Sequence, residues 1–283
     1  MGAAAPADVF EERGREQWAL VRSLLPPDDT LAGRRVLDFG CGAGRMLSAA
    51  VSDEPDAEFW GCDIDRESVE WLARDLAGRA EVFLTQDRPP MPVPDEHFHV
   101  VYAFSVFTHL VDSWSAWLLE LHRALDPSGL LIATVIGPGR RSSLNGEPVA
   151  EDLIGMNVLA PSNSWDAGGP LVLHSDWWLR AHWGRAFEIL ELRAGDQEHS
   201  PPQYGQAVVV ARKRPGSFTA ELLEQPQPDE PREIAALKQN IASLRREVAR
   251  QSEFMDSRSW RLTAPARTVA RVYRDQLRAR RHP

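Results

Sequence analysis

Residues 35–47 read Arg-Val-Leu-Asp-Phe-Gly-Cys-Gly-Ala-Gly-Arg-Met-Leu: an apolar run of strand length meets three alternating glycines, and helical character resumes at once. So crowded a turn needs glycine, which takes positive φ without a steric penalty and lets another molecule lie against the backbone. The helix that follows begins with N–H groups unpaired within the helix, and these suit an anionic group. In a doubly wound sheet such a strand-to-helix turn stands at the carboxyl ends of the strands, where ligands sit.

The alternation continues along the chain. Glu58–Cys62 reads as a strand, Arg66–Leu76 as a helix burying Val69, Leu72 and Leu76, Glu81–Leu84 as a third strand and His99–Phe104 as a fourth. Residues 113–125 form a helix with Trp114, Trp117, Leu118, Leu121 and Leu125 on one face, and Gly129–Ile136 reads as a fifth strand. A lead-in helix over 8–25, stopped by Pro26-Pro27, precedes the series. A Trp-rich helix over Ser175–Arg185 and strands at Phe187–Leu192 and Ala207–Arg212 close it. Strands alternating with helices predict parallel βαβ units and an α/β fold.

Three domains follow from this layout: a catalytic domain over 1–214, a Pro/Gln-rich linker over 215–232, and a helical basic tail over 233–283. Residues 137–173, rich in Gly, Pro, Ser and Asn, are too long for a routine connection and read as a lid on the acceptor side. In the tail, Ile234, Ile241 and Val248 occupy one seam position of a heptad rhythm and Leu237 and Leu244 the other. β-Branched residues at a and Leu at d favour a parallel two-stranded coil, with Glu233 reaching Lys238 of the partner helix. This predicts a homodimer through residues 233–255, the alternative being an amphipathic helix docked on its own domain.

Charge separates the parts further. The whole chain is −9, yet residues 233–283 hold 12 Arg or Lys against 5 Asp or Glu, a net +7, which leaves −16 on residues 1–232. An acidic catalytic part argues against a nucleic-acid substrate, since phosphate binding needs a basic surface over the site. The two cysteines, Cys41 and Cys62, are too few for a disulfide framework and lack zinc-site spacing, and no His and carboxylate set stands at metal-ligand spacing. The N-terminus lacks a basic start and an apolar stretch, so the reading is cytoplasmic.

A nicotinamide-binding turn is the obvious rival for the glycine string. The pattern here is Gly-x-Gly-x-Gly with Asp38 two residues ahead of Gly40, and Asp63 ends the next strand, where a carboxylate takes both hydroxyls of a ribose. V-L-D-F-G-C-G-A-G followed by G-C-D-I-D resembles the first two motifs of class I S-adenosylmethionine-dependent methyltransferases. The likeness continues through P-P-M-P-V-P-D-E-H-F-H-V-V-Y-A-F-S-V-F-T-H-L and W-L-L-E-L-H-R-A-L-D-P-S-G-L-L, dense over 34–136 and looser to 213.

The resemblance implies a Rossmann-like doubly wound sheet, mostly parallel with an antiparallel last strand, and S-adenosyl-L-methionine as cofactor. By position it puts Asp38, Cys41 and the backbone of Gly40, Gly42 and Gly44 at the methionine end, Asp63 on the ribose and Ile64 on the adenine. Asp87 would face the adenine amino group, with Gln86 as its rival, and the backbone near Ala103 and Phe104 would lie beside the amino acid moiety. Two departures from the family pattern stand out: His99, where Asp is usual, and Asp126-Pro127-Ser128-Gly129, where Pro-Gly-Gly is usual.

Methyl transfer is an in-line displacement, for which a protein supplies alignment and, for an alcohol acceptor, a base. Ser105-Val106-Phe107-Thr108-His109 follows the fourth strand, which makes His109 the first candidate base and His174 the weaker one. His109 also admits a purely structural reading, bonding backbone beneath the Trp114 helix. Ser257 to Arg267 resembles a segment, S-x-S-W-R-x-T-x-P-x-R, of bacterial glycosyltransferases and methyltransferases encoded with surface-polysaccharide genes. That resemblance points to a sugar hydroxyl on a glycan or its precursor as acceptor, with small-molecule O- or N-methylation in secondary metabolism and a non-catalytic cofactor-binding scaffold as alternatives. The basic tail itself reads as a solvated basic helix, as a surface for a glycosyltransferase partner, or as a binder of an anionic membrane through Trp260, Leu262 and eight arginines between 258 and 281.

Overall fold

Short runs of β-branched and aromatic residues flanked by amphipathic helical stretches build a seven-stranded sheet with helices on both faces. The computed structural model describes residues 7–137, 154–159, 169–195 and 205–256. In chain order the elements are α1 (Ala7–Leu24), β1 (Arg35–Phe39), α2 (Arg45–Asp53), β2 (Glu58–Asp63), α3 (Arg66–Asp75), β3 (Ala80–Leu84), β4 (Phe98–Ala103), α4 (Trp114–Ala124) and β5 (Leu125–Val135). They continue with β6 (Met156–Leu159), β7 (Leu171–His174), α5 (Asp176–His182) with a 3₁₀ turn, β8 (Phe187–Arg193), β9 (Ala207–Lys213), α6 (Ala220–Glu224) and α7 (Pro231–Asp256).

The strand order is β3-β2-β1-β4-β5-β9-β8. β1 to β5 are mutually parallel where they pair, and β9 runs antiparallel to both β5 and β8. Side chains alternate across the pleat, so one strand serves two cores. Val36, Val100 and Tyr102 pack with Trp18 of α1, Leu47 of α2 and Leu72 of α3. Leu37, Phe39 and Val101 pack with Trp117 and Leu121 of α4 and with Trp178 of α5.

The expected acceptor-side segment contributes the pair β6 and β7, a separate antiparallel ladder. The rest of that segment, residues 138–153 and 160–168, lies outside the described residues. β5 begins at Leu125, ahead of the Gly129 start read from sequence, and Phe98 pairs with Leu125 across it.

The two departures from the family pattern prove to be one exchange. His99 Nε2 meets Asp29 Oδ1 at 2.8 Å and its Nδ1 meets Asp126 Oδ2 at 3.2 Å. Both ring nitrogens thus face carboxylates. An aspartate at 99 would instead gather three carboxylates at the amino-terminal edge of β4.

The polar stretch 215–232, read as a linker, packs on the domain. Phe218 and Leu223 give it two apolar anchors in the core that holds α4, and Thr219 caps α6 by accepting the Leu222 N–H at 3.2 Å. The described residues divide after Ala236, with those from Leu237 forming a second unit. The first turn of α7 belongs to the first unit. Glu233 is 4% exposed, its carboxylate 3.1 Å from His182 Nε2, while His182 Nδ1 donates to the Leu223 carbonyl at 2.6 Å. Glu233 is thereby committed inside its own chain, against the buried His182, and does not extend toward a partner's Lys238. No described helix is long and apolar enough to cross a membrane.

Candidate functional site

At the carboxyl ends of β1, β2 and β4 lies a cleft of about 730 Å³. The glycine turn forms one side of it, and its three glycines answer to different demands. Gly40 has φ 83, and a Cβ there would stand 2.4 Å from Val106 Cγ2. Gly44 has φ 79, and a Cβ would stand 2.2 Å from Leu72 Cδ1. Gly42, at φ 52, has open space where a side chain would be, so here the backbone itself is approachable.

Asp63, the last residue of β2, accepts the Gly42 N–H at 2.7 Å through Oδ2 and the Asp65 N–H at 2.9 Å through Oδ1. A carboxylate has about four lone-pair positions, so a group held this way can still accept two hydroxyls. Beside it Ile64 is 50% exposed and lines the cleft together with Thr85, Gln86 and Asp87. The Asp87 carbonyl accepts Trp117 Nε1–H at 3.2 Å, which ties this wall to α4. An exposed apolar side chain beside an anchored carboxylate is the chemistry a nucleoside needs, a flat base on one and a ribose on the other.

Not every expected residue reaches the cleft. Gly40, Asp63, Ile64, Gln86, Asp87, Phe104 and His109 line it. Asp38 is 3% exposed beneath the turn, where burial foremost, and the charge of Asp63, raise its carboxyl to about 8. The Tyr102 hydroxyl beside it favours the carboxylate without reaching hydrogen-bond geometry. Asp38 thus braces the turn from below, toward the Leu47 N–H of α2. Cys41 is buried too, its thiol directed at the Gly42 carbonyl 3.8 Å away and pushed up by burial. Its N–H and that of Gly40 bond the Cys62 carbonyl at 3.0 and 2.8 Å, pinning the turn on β2. Ala103 lies wholly in the core, and its neighbour Phe104 is the one that emerges.

The far end of the cleft is built from the segment after β4. His109 Nδ1 donates to the Pro170 carbonyl at 2.8 Å, which in the neutral ring makes Nε2 the basic nitrogen. The Thr108 carbonyl accepts the Val172 N–H at 2.8 Å, so β7 holds this segment from above. His174, the weaker candidate base, is ruled out as a surface group. It is fully buried against Trp178 and Trp183, and burial lowers it to about 3, so it is neutral and out of reach. Arg88, without a local sequence signal, completes the wall and donates to Asp112 at 2.8 Å, while Ser105 of the wall is met from behind the lining by Gln206.

Residues 36–129 match the family model of the methyltransferase domain. Over 135 residues the chain is 28% identical to a fatty-acid O-methyltransferase of Mycolicibacterium smegmatis, covering 47% of this chain and 48% of that protein. Over 105 residues it is 34% identical to the 27-O-demethylrifamycin SV methyltransferase of Amycolatopsis mediterranei, covering 35% and 38% of the two chains. It thus spans half or less of the length of these curated relatives. Among solved structures, an S-adenosylmethionine-dependent methyltransferase from Mesorhizobium loti superposes with a TM-score of 0.54 at 18% identity, covering 70% of this chain and 97% of that one. Taken with the sheet order and the cleft at its carboxyl edge, these matches show that residues 36–129 are similar to the methyltransferase domain and that the chain shares the fold of its solved neighbour.

Proposed function

We propose that the protein transfers the methyl group of S-adenosylmethionine to a hydroxyl acceptor. The observation that carries this reading is the pairing of Asp63 and Ile64 in the cleft wall, an anchored carboxylate next to an exposed isoleucine. In it Asp63 holds the ribose, Ile64 and Asp87 or Gln86 flank the adenine, and the backbone at Gly40, Gly42 and Phe104 faces the amino acid end. Once bound, the cofactor supplies an electrophilic methyl group. His109 receives the acceptor's proton at Nε2, held in that tautomer by the Pro170 carbonyl.

For the acceptor we favour a sugar hydroxyl in glycan biosynthesis, supported by the likeness of residues 257–267 to polysaccharide-associated enzymes. A small-molecule or lipid acceptor is the second reading, favoured by the names of the fatty-acid and rifamycin relatives. Labelled cofactor offered with sugars, phenols and fatty acids separates these readings, and binding without turnover on any of them would leave a scaffold. A positioned base contributes about 10²–10⁴-fold. His109→Ala is therefore expected to lose turnover by at least about a hundredfold while cofactor affinity stays near wild type. Full turnover in that variant would remove the base from the mechanism.

The reading includes a homodimer. Ile234, Leu237, Ile241, Leu244 and Val248 of α7 are each at least 42% exposed, an apolar stripe that a second copy would cover as a parallel coil. Light scattering is expected to give a dimer for the full chain and a monomer for a chain ending at Ala236. A monomeric full chain at tens of micromolar would refute the coil. The tail beyond Asp256, which we assign to a glycosyltransferase or membrane surface, lies outside the described residues.

A further inference from the structure

Where β4 ends, Ser105 takes φ 60, a left-handed backbone that costs a residue with a Cβ. Two other segments hold it there. Its N–H donates to the Thr134 hydroxyl of β5 at 2.7 Å. Its own hydroxyl meets the Gln206 side chain just before β9, accepting from Nε2 at 2.9 Å and donating to Oε1 at 3.3 Å. A backbone held against its preference by partners from two other parts of the chain is characteristic of a functional site. Ser105 is exposed and lines the cleft in the same segment as Val106 and His109.

We infer that Ser105 and Gln206 form a clamp that orients a neutral, hydroxyl-bearing acceptor beside His109. The inference rests on the methyl-transfer reading above. After their mutual bond the pair keeps an amide N–H to donate and oxygen lone pairs to accept. A hydroxyl is itself a donor and an acceptor, so it satisfies both halves. A carboxylate has no hydrogen to give and would set its charge against the remaining lone pairs. The clamp therefore selects alcohols and phenols over acids, and it acts on the acceptor without touching the cofactor.

The test compares wild type, Gln206→Leu and Ser105→Gly with labelled S-adenosylmethionine and three probes: methyl α-glucopyranoside, catechol and octanoate. Ser105→Gly deletes the hydroxyl at a position where glycine relieves the backbone, so folding is safe even if the leucine variant is not. Wild type is expected to methylate a hydroxyl probe in preference to octanoate. Each variant should lose about 3- to 10-fold in kcat/KM on that probe, the loss of one neutral hydrogen bond, and chiefly through KM. Cofactor affinity by calorimetry should stay within about twofold, since the lost bond contributes nothing to cofactor binding. Unaltered kinetics, transfer to octanoate alone, a matching fall in cofactor affinity, or cofactor binding without transfer to any probe would overturn the clamp. A wild type that binds no cofactor would defeat the methyl-transfer reading itself, and the clamp with it.

Discussion

Replacing Asp38 by asparagine is expected to stabilise the protein by several kcal/mol at pH 8 and to change little near pH 4. The carboxyl lies beneath the glycine turn, where burial, joined by the charge of Asp63, carries it from an ordinary 3.8 to about 8, against the opposing pull of Tyr102, Arg45 and the Leu47 N–H. Because the folded value is the higher one, the sign is the reverse of the usual carboxylate. Below about pH 4 both states are protonated and nothing is lost. As pH rises the unfolded chain ionises first, and each unit costs the fold about 1.4 kcal/mol until the buried group ionises as well. Over about four units the loss approaches about 5 kcal/mol. An asparagine stays neutral and its carbonyl can still accept the Leu47 N–H, so denaturant unfolding at pH 4, 6 and 8 should show a widening gap between variant and wild type. A gap independent of pH would mean the carboxyl is ionised in the fold. Cofactor affinity should not change, since Asp38 does not line the cleft.

Asp63→Ala carries the other large effect. The carboxylate would accept two ribose hydroxyls, and a hydrogen bond to a charged group contributes about 1.5–3 kcal/mol, so the variant should bind S-adenosylmethionine and S-adenosylhomocysteine about 10²- to 10⁴-fold more weakly. The same change releases the Gly42 and Asp65 N–H groups. Calorimetry should therefore be paired with a measure of stability, and Asp63→Asn, which keeps one carbonyl acceptor, should fall between. An undiminished affinity in the alanine variant would end the ribose role.

What the sequence made legible was local. The turn at 40–44, the acid at 63 and the isoleucine after it are read from neighbouring residues, and the parallel pairing of β1 to β5 follows from the βαβ rhythm. What it hid was burial and distance. Asp38, Cys41 and His174 carry polar atoms that look available in a string of letters, yet each lies under a layer of side chains. Gln206 approaches Ser105 across 101 residues of chain, and no local pattern announces the meeting. The stretch 215–232 looked like a linker because Pro and Gln dominate it, whereas two apolar residues, Phe218 and Leu223, suffice to fasten it.

The division of labour among the three glycines bears on how such a domain would decay. Gly40 and Gly44 are kept by the protein's own side chains, Val106 and Leu72, and by a positive φ at each, whether or not the domain binds anything. Gly42 faces open space but holds a φ of 52 that favours glycine with or without a ligand, whereas Ile64, exposed in the cleft, is the position that selection on ligand preserves. A glycine string therefore testifies to architecture, and drift at position 64 with 40, 42 and 44 intact would be the earliest mark of a lineage that had given up its cofactor.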